Sequence, residues 1–519
     1  MTVAGSEGGR PTERLLLAAL LIAFTAVVVR FAWTGFVVSD GGYYVMAAKG
    51  WLDQFPYVAD HFGKARVAVA VPIAVMFALF GRSEAAALAS TEVYFVATVV
   101  TTYVMLIRIL GCRRAFLAAL GLATLPVLAL MSTIPSADVP ELFFVVVSFW
   151  LFWAASERPD RSGLALTLAG VAAGLAFSAR EVSAGLMLFY GLLFLTRYRM
   201  PRARYLLIAA GFAGVIALEC LYYFVMVGNP LQRWTLLLAA ASVHDRVYVG
   251  VFELAAGGTI HIWEPIDPLV MFFTKHSFGL LGYLAVPALF WAWGSARRDM
   301  GAPARLTRLM SVLAAVWIVF AAVLLKNMVL MPRYYMVPAY ALYVAAAIWM
   351  LQVLAPRRKT LVAVLCCAFL LTNAAAIAVD NKNPRFGERA LVSFLQDHPG
   401  AVVTDPLTAN DVQWYCEFQQ VDCSGVQGRR PKPGDSYFYN PRNADRPNRF
   451  VPAAEVSHYR PAPDWPTLWS KSGPPPALAE LLTRLGLDAA VPPALSAKLL
   501  RQRDAVSVHL VVAGPGTPP

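Results

Sequence analysis

Asp40, in Ser39-Asp40-Gly41-Gly42-Tyr43-Tyr44, is a lone carboxylate just beyond a long apolar run, LLLAALLIAFTAVVVRFAWTGFVV, whose single charge is Arg30. Further along, Asp60-His61-Phe62-Gly63-Lys64-Ala65-Arg66 gathers an acid, an imidazole and two cations. A carboxylate facing several cations suits one kind of chemistry. The acid takes the proton of a hydroxyl or amine nucleophile, and the cations make charge-assisted hydrogen bonds to a phosphate that leaves. Two more cations stand at the ends of apolar runs: Arg180 in Ser178-Ala179-Arg180-Glu181, where almost no loop is left, and Arg333 in MPRYYMVPAYAL. Lys64, Arg66, Arg180 and Arg333 are therefore the candidate phosphate ligands, and Asp40 is the candidate base.

Each candidate has a plainer reading. Arg180 and Arg333, with Lys326, fit snorkelling anchors or pairs with neighbouring acids, Glu181 for Arg180. Asp138 and Glu141, in STIPSADVPELFF, are favourable charges at the start of a helix. Asp40 fits a turn residue with its side chain in water. Read at the C-terminal end of the first apolar run, however, it opposes the helix dipole, and Gly41-Gly42 would let the backbone turn and expose it. His61 and Asp138 are candidates for the acceptor side or for a divalent metal shared with Asp40; the residues leave the cofactor unknown.

The elements that must position these residues are membrane helices. Hydrophobic residues make up 58% of the chain and charged ones 15%, which excludes an ordinary soluble domain. At 1.5 Å per residue a helix needs roughly 20 apolar residues to cross about 30 Å of hydrocarbon, and about eleven runs approach that length. They lie near residues 15–38, 85–107, 115–132, 139–155, 163–179, 182–196, 205–227, 277–294, 309–325, 334–353 and 360–379. The segment VAVPIAVMFALFG holds a proline and is short, so it reads as interfacial or re-entrant. The first run is too long for a signal-peptide core and reads as a retained helix.

The net charge of +12 is distributed by loop and does not form a nucleic-acid-binding patch. Arg108, Arg113, Arg114, Arg158, Arg161, Arg197, Arg199, Arg202, Arg204, Arg297, Arg298, Arg305, Arg308, Arg357, Arg358 and Lys359 fall in alternate loops. The positive-inside rule then places the N-terminus in the cytoplasm and, with an odd number of spans, the C-terminus outside. Cations on the outer side, such as Lys64 and Arg66, go against this preference and call for an anionic ligand. Arg far outnumbers Lys and Ala is abundant, which points to a GC-rich bacterial genome; in a bacterium the expected location is the inner membrane.

Domain organisation follows: a transmembrane catalytic domain, 1–380, with outer loops 39–84 and 228–276, and an exported α/β domain, 381–519. The second loop starts at the Gly228-Asn229-Pro230 turn and holds His244, Asp245, Arg246, Glu253, His261, Glu264 and Asp267. In the tail, ERALVSFLQDHPG, LAELLTRLG and SAKLLRQ read as helices and AVVTD and VSVHLVVAG as strands. Residues 429–476 read as Pro-rich and irregular, and GPGTPP reads as disordered. Cys416 and Cys423 sit in an oxidising compartment and are candidates for a local disulfide. No P-loop, GxGxxG after a strand, or GxSxG elbow is present, which argues against nucleotide-driven chemistry.

Taken in order, several motifs resemble the C-type membrane glycosyltransferases. They are the acid after the first span, the HFGK segment, SADVPELFF opening a later span, the GNP turn and Arg333-Tyr334 before a late span. The resemblance is nearest to the bacterial branch related to protein O-mannosyltransferases and lipid A aminoarabinose transferases. It implies transfer of a sugar from a polyprenyl-phosphate donor to a lipid, glycan or protein acceptor on the periplasmic face. Asp40 would act as the base or orient the acceptor, and Lys64, Arg180 and Arg333 would lie near the lipid phosphate. Where many relatives have two adjacent acids, this chain has Ser39-Asp40 or Asp40-Gly41; where many have Lys-Pro-Pro, it has Lys64-Ala65-Arg66. These departures leave acceptor and metal open. One carboxylate with several opposing cations suits direct displacement with inversion.

Two other classes compete. A transporter or lipid flippase would use Glu92 and Glu219 inside the spans, and calls for inverted repeats that the sequence does not display. A scaffold that binds a partner through its exported domain would leave the loop charges without a role.

Overall fold

The computed structural model describes residues 11–158, 162–243, 252–253, 259–260, 266–294, 301–324, 331–380, 386–448, 450–473, 477–493 and 505–512. Lys326, the 496–502 helix expectation, the GPGTPP tail, and His244, Asp245, Arg246, His261 and Glu264 lie outside the described residues.

Among the described residues, seven helices are long and apolar enough to cross a membrane. They are α1 (Pro11–Ala32), α4 (Glu84–Leu110), α7 (Asp138–Glu157), α10 (Arg202–Val227), α14 (Gly301–Leu324), the stretch Pro332–Leu354 built around α15 (Met336–Ile348), and α16 (Lys359–Asp380). Shorter apolar helices accompany them: α3 (Val67–Phe80), α8 (Gly163–Ala179), α9 (Ala184–Thr196) and α13 (Leu281–Gly294). The chain is thus a polytopic helical membrane protein. α3 carries Pro72 within it and remains one helix of 14 residues, too short at 1.5 Å per residue to cross roughly 30 Å of hydrocarbon.

Two boundaries differ from the sequence expectation. The run near 115–132 is not one span but α5 (Cys112–Ala123) followed by α6 (Pro126–Met131). Pro126 cannot continue the helix and holds Leu125 in the extended region, with φ −63° and ψ 118°, so the break follows from the proline itself. The second difference concerns Asp40. α1 ends at Ala32, residues 33–37 have no regular structure, and a separate helix, α2 (Asp40–Asp53), starts at the acid.

The chain divides into two compact units. The first comprises Met1–Ala32, Asp40–Ala78 and Leu88–Ile377, and in it β1 (Phe252–Glu253) pairs antiparallel with β2 (Thr259–Ile260). Its helices α7, α8 and α10 pack closely, and a Cβ on either Gly170 or Gly211 would run into backbone of the facing helix, the close approach that small residues give membrane helices.

The second unit comprises Ala378–Pro519 together with two short pieces from earlier in the chain, Trp33–Ser39 and Leu79–Ala87. Its sheet has strand order β4-β3-β5-β7-β6, from β3 (Val402–Thr404), β4 (Val426–Gly428), β5 (Ser436–Tyr439), β6 (Thr467–Lys471) and β7 (Val506–Leu510). β3 pairs in parallel with β4 and β5, and β7 antiparallel with β5 and β6. The helices α17 (Phe386–Asp397), α18 (Pro406–Gln419) and α20 (Ala477–Arg484) complete an α/β arrangement. The stretch expected to be irregular supplies β5 and β6, and α18 was not foreseen. Cys416 and Cys423 form the disulfide, tying the end of α18 to the turn before β4. Within this unit Phe36 sits among Trp414, Tyr415 and Phe418, with ring centroids 5.5, 6.1 and 5.1 Å away. The Tyr415 hydroxyl donates to the Phe36 carbonyl. The Glu84 carboxylate accepts the Phe36 N–H at 2.7 Å and pairs with Arg389.

Candidate active site

Asp40 lies in the first turn of α2, where free backbone N–H groups and the helix dipole favour a carboxylate. The sequence argument that the dipole penalises this acid is therefore corrected, because the helix that precedes it ends well before it. Gly41 and Gly42 are not a turn but helix residues, both buried. A Cβ on Gly41 would stand 3.2 Å from the Pro135 carbonyl oxygen, so the glycine allows α2 to pass the segment leading into α7. The Asp40 carboxylate accepts from Arg333 Nη2 at 3.3 Å.

One helical turn along α2 is Tyr44, on the same face as Asp40. Its buried hydroxyl accepts from Arg66 Nη1 at 2.6 Å. Burial pushes the Tyr44 hydroxyl up, and the charges acting on it are Arg66, Asp40 and Arg180. The same tyrosine thus lies within electrostatic reach of three of the predicted residues. Arg333, another of them, shares the Tyr334 ring with Arg180, the guanidinium carbons lying 5.4 and 4.3 Å from its centroid. Asp40, Arg66, Arg180 and Arg333 are brought together around two tyrosines.

Lys64 is held by Asp60 at 2.9 Å. The hydrogen bond from Lys64 keeps the Asp60 carboxyl below its ordinary range. His61 stacks on Tyr43 at 4.0 Å and accepts the Gly63 N–H on Nδ1 at 3.1 Å. Burial first, then the Lys64 cation, lower its imidazole from the ordinary value, with Arg66 acting in the same direction and Asp60 and Asp40 opposing. A neutral His61 beside the cations follows.

Arg180 does not pair with Glu181. Its backbone is extended, with φ −159° and ψ 132°, so successive side chains leave on opposite sides. Arg180 turns to Asp138 and to Glu141, the latter at 3.7 Å. Glu181, in the single 3-10 turn Glu181–Ser183, turns to Arg66 at 3.1 Å and to Arg233 of α11 (Gln232–Val243) at 2.9 Å. Arg233 continues to Glu219 at 2.9 Å. Burial disfavours the Arg66 cation, but Tyr44 and Glu181 outweigh it and hold the group charged. Sequence reasoning missed Arg233 and gave Tyr44 and Tyr334 no role at the site; Glu181 it assigned to Arg180, and Glu219 it noticed without a partner.

Asp138 is committed to Arg180, so it does not join His61 as a ligand beside Asp40. Among the described residues no group of three or more His, Cys, Asp or Glu side chains gathers as a metal site. These residues do not fit a metal: Asp40 and Asp138 are each paired with an arginine, and His61 is stacked on Tyr43 with its Nδ1 taken by Gly63. They do offer donors: Arg66 Nε and Arg333 Nε are buried and have no hydrogen-bond partner among the described residues, which suits an anionic ligand with several oxygens.

Residues 67–223 match the family model of dolichyl-phosphate-mannose-protein mannosyltransferases. The crystal structure of ArnT from Cupriavidus metallidurans in the apo state aligns with a TM-score of 0.52 at 14% identity, over 96% of this chain and 98% of that one. The structure of ArnT from the same organism bound to undecaprenyl phosphate aligns with a TM-score of 0.53 at 14% identity, over 96% and 99%. The fold is that of the C-type membrane glycosyltransferases. Comparison with curated proteins by sequence gives no match. The C-type likeness extends over nearly the whole chain, so it includes the α/β unit as well as the helices, and the family-model match ends in α10, before the segment that carries Arg233.

Proposed function

We propose that this protein transfers a sugar from a polyprenyl-phosphate donor to a hydroxyl or amine acceptor by direct displacement. The observation that carries the reading is the Asp40 carboxylate at the start of α2, facing Arg333 with Arg66 and Arg180 beside it. In the step, the acceptor oxygen or nitrogen bonds to the anomeric carbon while the bond from that carbon to the phosphate oxygen breaks. The electron pair stays on the phosphate, and the acceptor proton passes to Asp40. Attack opposite the leaving group inverts the anomeric centre. Arg333, Lys64 and the free Nε of Arg66 take up the charge that develops on the phosphate.

The loop arginines support a cytoplasmic N-terminus, which puts the start of α2 and the α/β unit on the periplasmic side of a bacterial inner membrane. The donor enters from the lipid, and the acceptor is a lipid, glycan or protein. The ArnT structure with undecaprenyl phosphate supports a polyprenyl carrier as the probe to try first. The purified full chain in lipid nanodiscs is given a panel of labelled undecaprenyl-phosphate sugars with membrane-extract acceptors. Release of undecaprenyl phosphate with label transfer is expected for one sugar; neither turnover with any sugar nor binding of undecaprenyl phosphate would sink the reading.

A further inference from the structure

Glu181 stands between Arg66, which precedes α3, and Arg233, which lies in α11. Its Oε2 accepts from Arg66 Nη2 at 3.1 Å and its Oε1 from Arg233 Nη2 at 2.9 Å. Arg233 Nη1 meets both oxygens of Glu219, at 2.9 and 3.1 Å, and Arg233 Nη2 donates to the Phe177 carbonyl at 2.9 Å. The Arg233 side chain is 4% exposed and that of Glu181 18%, so these charges are shielded from the water that would otherwise screen them.

Arg66 has three donor edges to allocate. Nη1 goes to the Tyr44 hydroxyl, Nη2 to Glu181, and Nε is left without a partner among the described residues. A guanidinium is a rigid planar fork, so fixing two edges fixes the direction of the third. We infer that Glu181 is a positioning residue: it holds Arg66 so that Nε is left for the donor phosphate, and through Arg233 it makes that geometry depend on α11. The inference rests on the donor-phosphate reading above. It also gives Arg233 a reason to be buried. With Glu181 neutral, Arg66 and Arg233 would each lose a buried anionic partner, and Arg66 would turn away to find water or another acid.

The test measures binding of undecaprenyl phosphate to the full chain in nanodiscs, alongside thermal unfolding. Glu181→Gln is expected to weaken binding about tenfold or more, the scale of a lost charge-assisted hydrogen bond. Arg66→Lys, which keeps a charge for Glu181 but has no Nε edge, is expected to weaken it similarly. Because Glu181→Gln strands a buried cation and lowers stability, the double variant Glu181→Gln with Arg66→Met removes both charges. It is expected to recover stability without recovering affinity. Recovery of both together would show that neither Arg66 nor its placement by Glu181 serves the phosphate, and that outcome overturns the inference. So does a folded Glu181→Gln protein that binds within about twofold of wild type, the resolution of such a comparison. If wild type itself fails to bind the probe, the donor-phosphate reading falls and takes the inference with it; if wild type binds and the variants behave otherwise than expected, only the inference falls.

Discussion

Two sets of ion pairs lie close together at the start of α2, and they differ in burial. Asp40–Arg333 has side chains 51% and 24% exposed, and in Lys64–Asp60 the acid is more open still. Such pairs contribute about 0–1 kcal/mol and exchange easily. The chain Arg66–Glu181–Arg233–Glu219 and the Arg180–Asp138 pair are buried. Removing one partner of a buried pair costs about 3–5 kcal/mol, because the other is left charged without water. The lesson is a division of labour. The carboxylate proposed as the base sits in a pair that a ligand can open, while the frame around it is held by pairs that cannot be opened cheaply.

The sharpest test of that division is Asp40→Asn. Transfer is expected to fall by about 10²–10⁴-fold, the usual contribution of a general base, with the unfolding midpoint close to wild type because the lost pair is exposed. Turnover at the wild-type rate would remove Asp40 from the reaction. Arg233→Ala should behave in the opposite way, lowering stability by about 3–5 kcal/mol; a stability change under about 1 kcal/mol, the range of exposed pairs, would show that burial does not separate the two sets.

Arg333→Ala tests the open pair from its other side. Undecaprenyl phosphate should bind about tenfold more weakly, as for one lost charge-assisted contact, and unchanged affinity would take Arg333 out of the site. The smallest effect on stability is expected for Lys64→Met. Asp60 titrates below its ordinary value because Lys64 donates to it, so the pair's contribution is present above the unfolded carboxyl's range and is lost as pH falls through the folded one. That contribution is under about 1 kcal/mol for so exposed an acid. The variant's stability should therefore match wild type in acid and trail it only slightly at neutral pH; a gap that widens in acid would reverse the sign.

The sequence displayed the membrane architecture and the residue types that gather near Asp40, because apolar runs, loop arginines and short motifs are local signals. It did not display the partners. Glu181 follows Arg180 directly, and adjacency suggested a pair, yet an extended backbone sends them apart to Arg66 and Asp138, residues far off in the chain. Arg233 lies in α11, within a segment that reads in sequence as a loop whose chemistry is concentrated at later histidines and acids, and nothing local marks it as buried. The end of the first span was misplaced for a different reason: Trp33–Ser39 is apolar enough to read as more of that span, although it belongs with the C-terminal unit. The strands β5 and β6 were hidden by the prolines and glycines around them, which mask their alternation.

The contacts of Trp33–Ser39 have a consequence for biosynthesis. Phe36 finds its neighbours in Trp414, Tyr415 and Phe418, and Glu84 finds Arg389. At about 5–20 residues per second, translation reaches those partners on the order of tens of seconds after the N-terminal segment has left the ribosome. The peptide leading into Asp40 therefore completes its folding among the last parts of the molecule, and a chain truncated before Arg389 would reach the membrane without ever closing it.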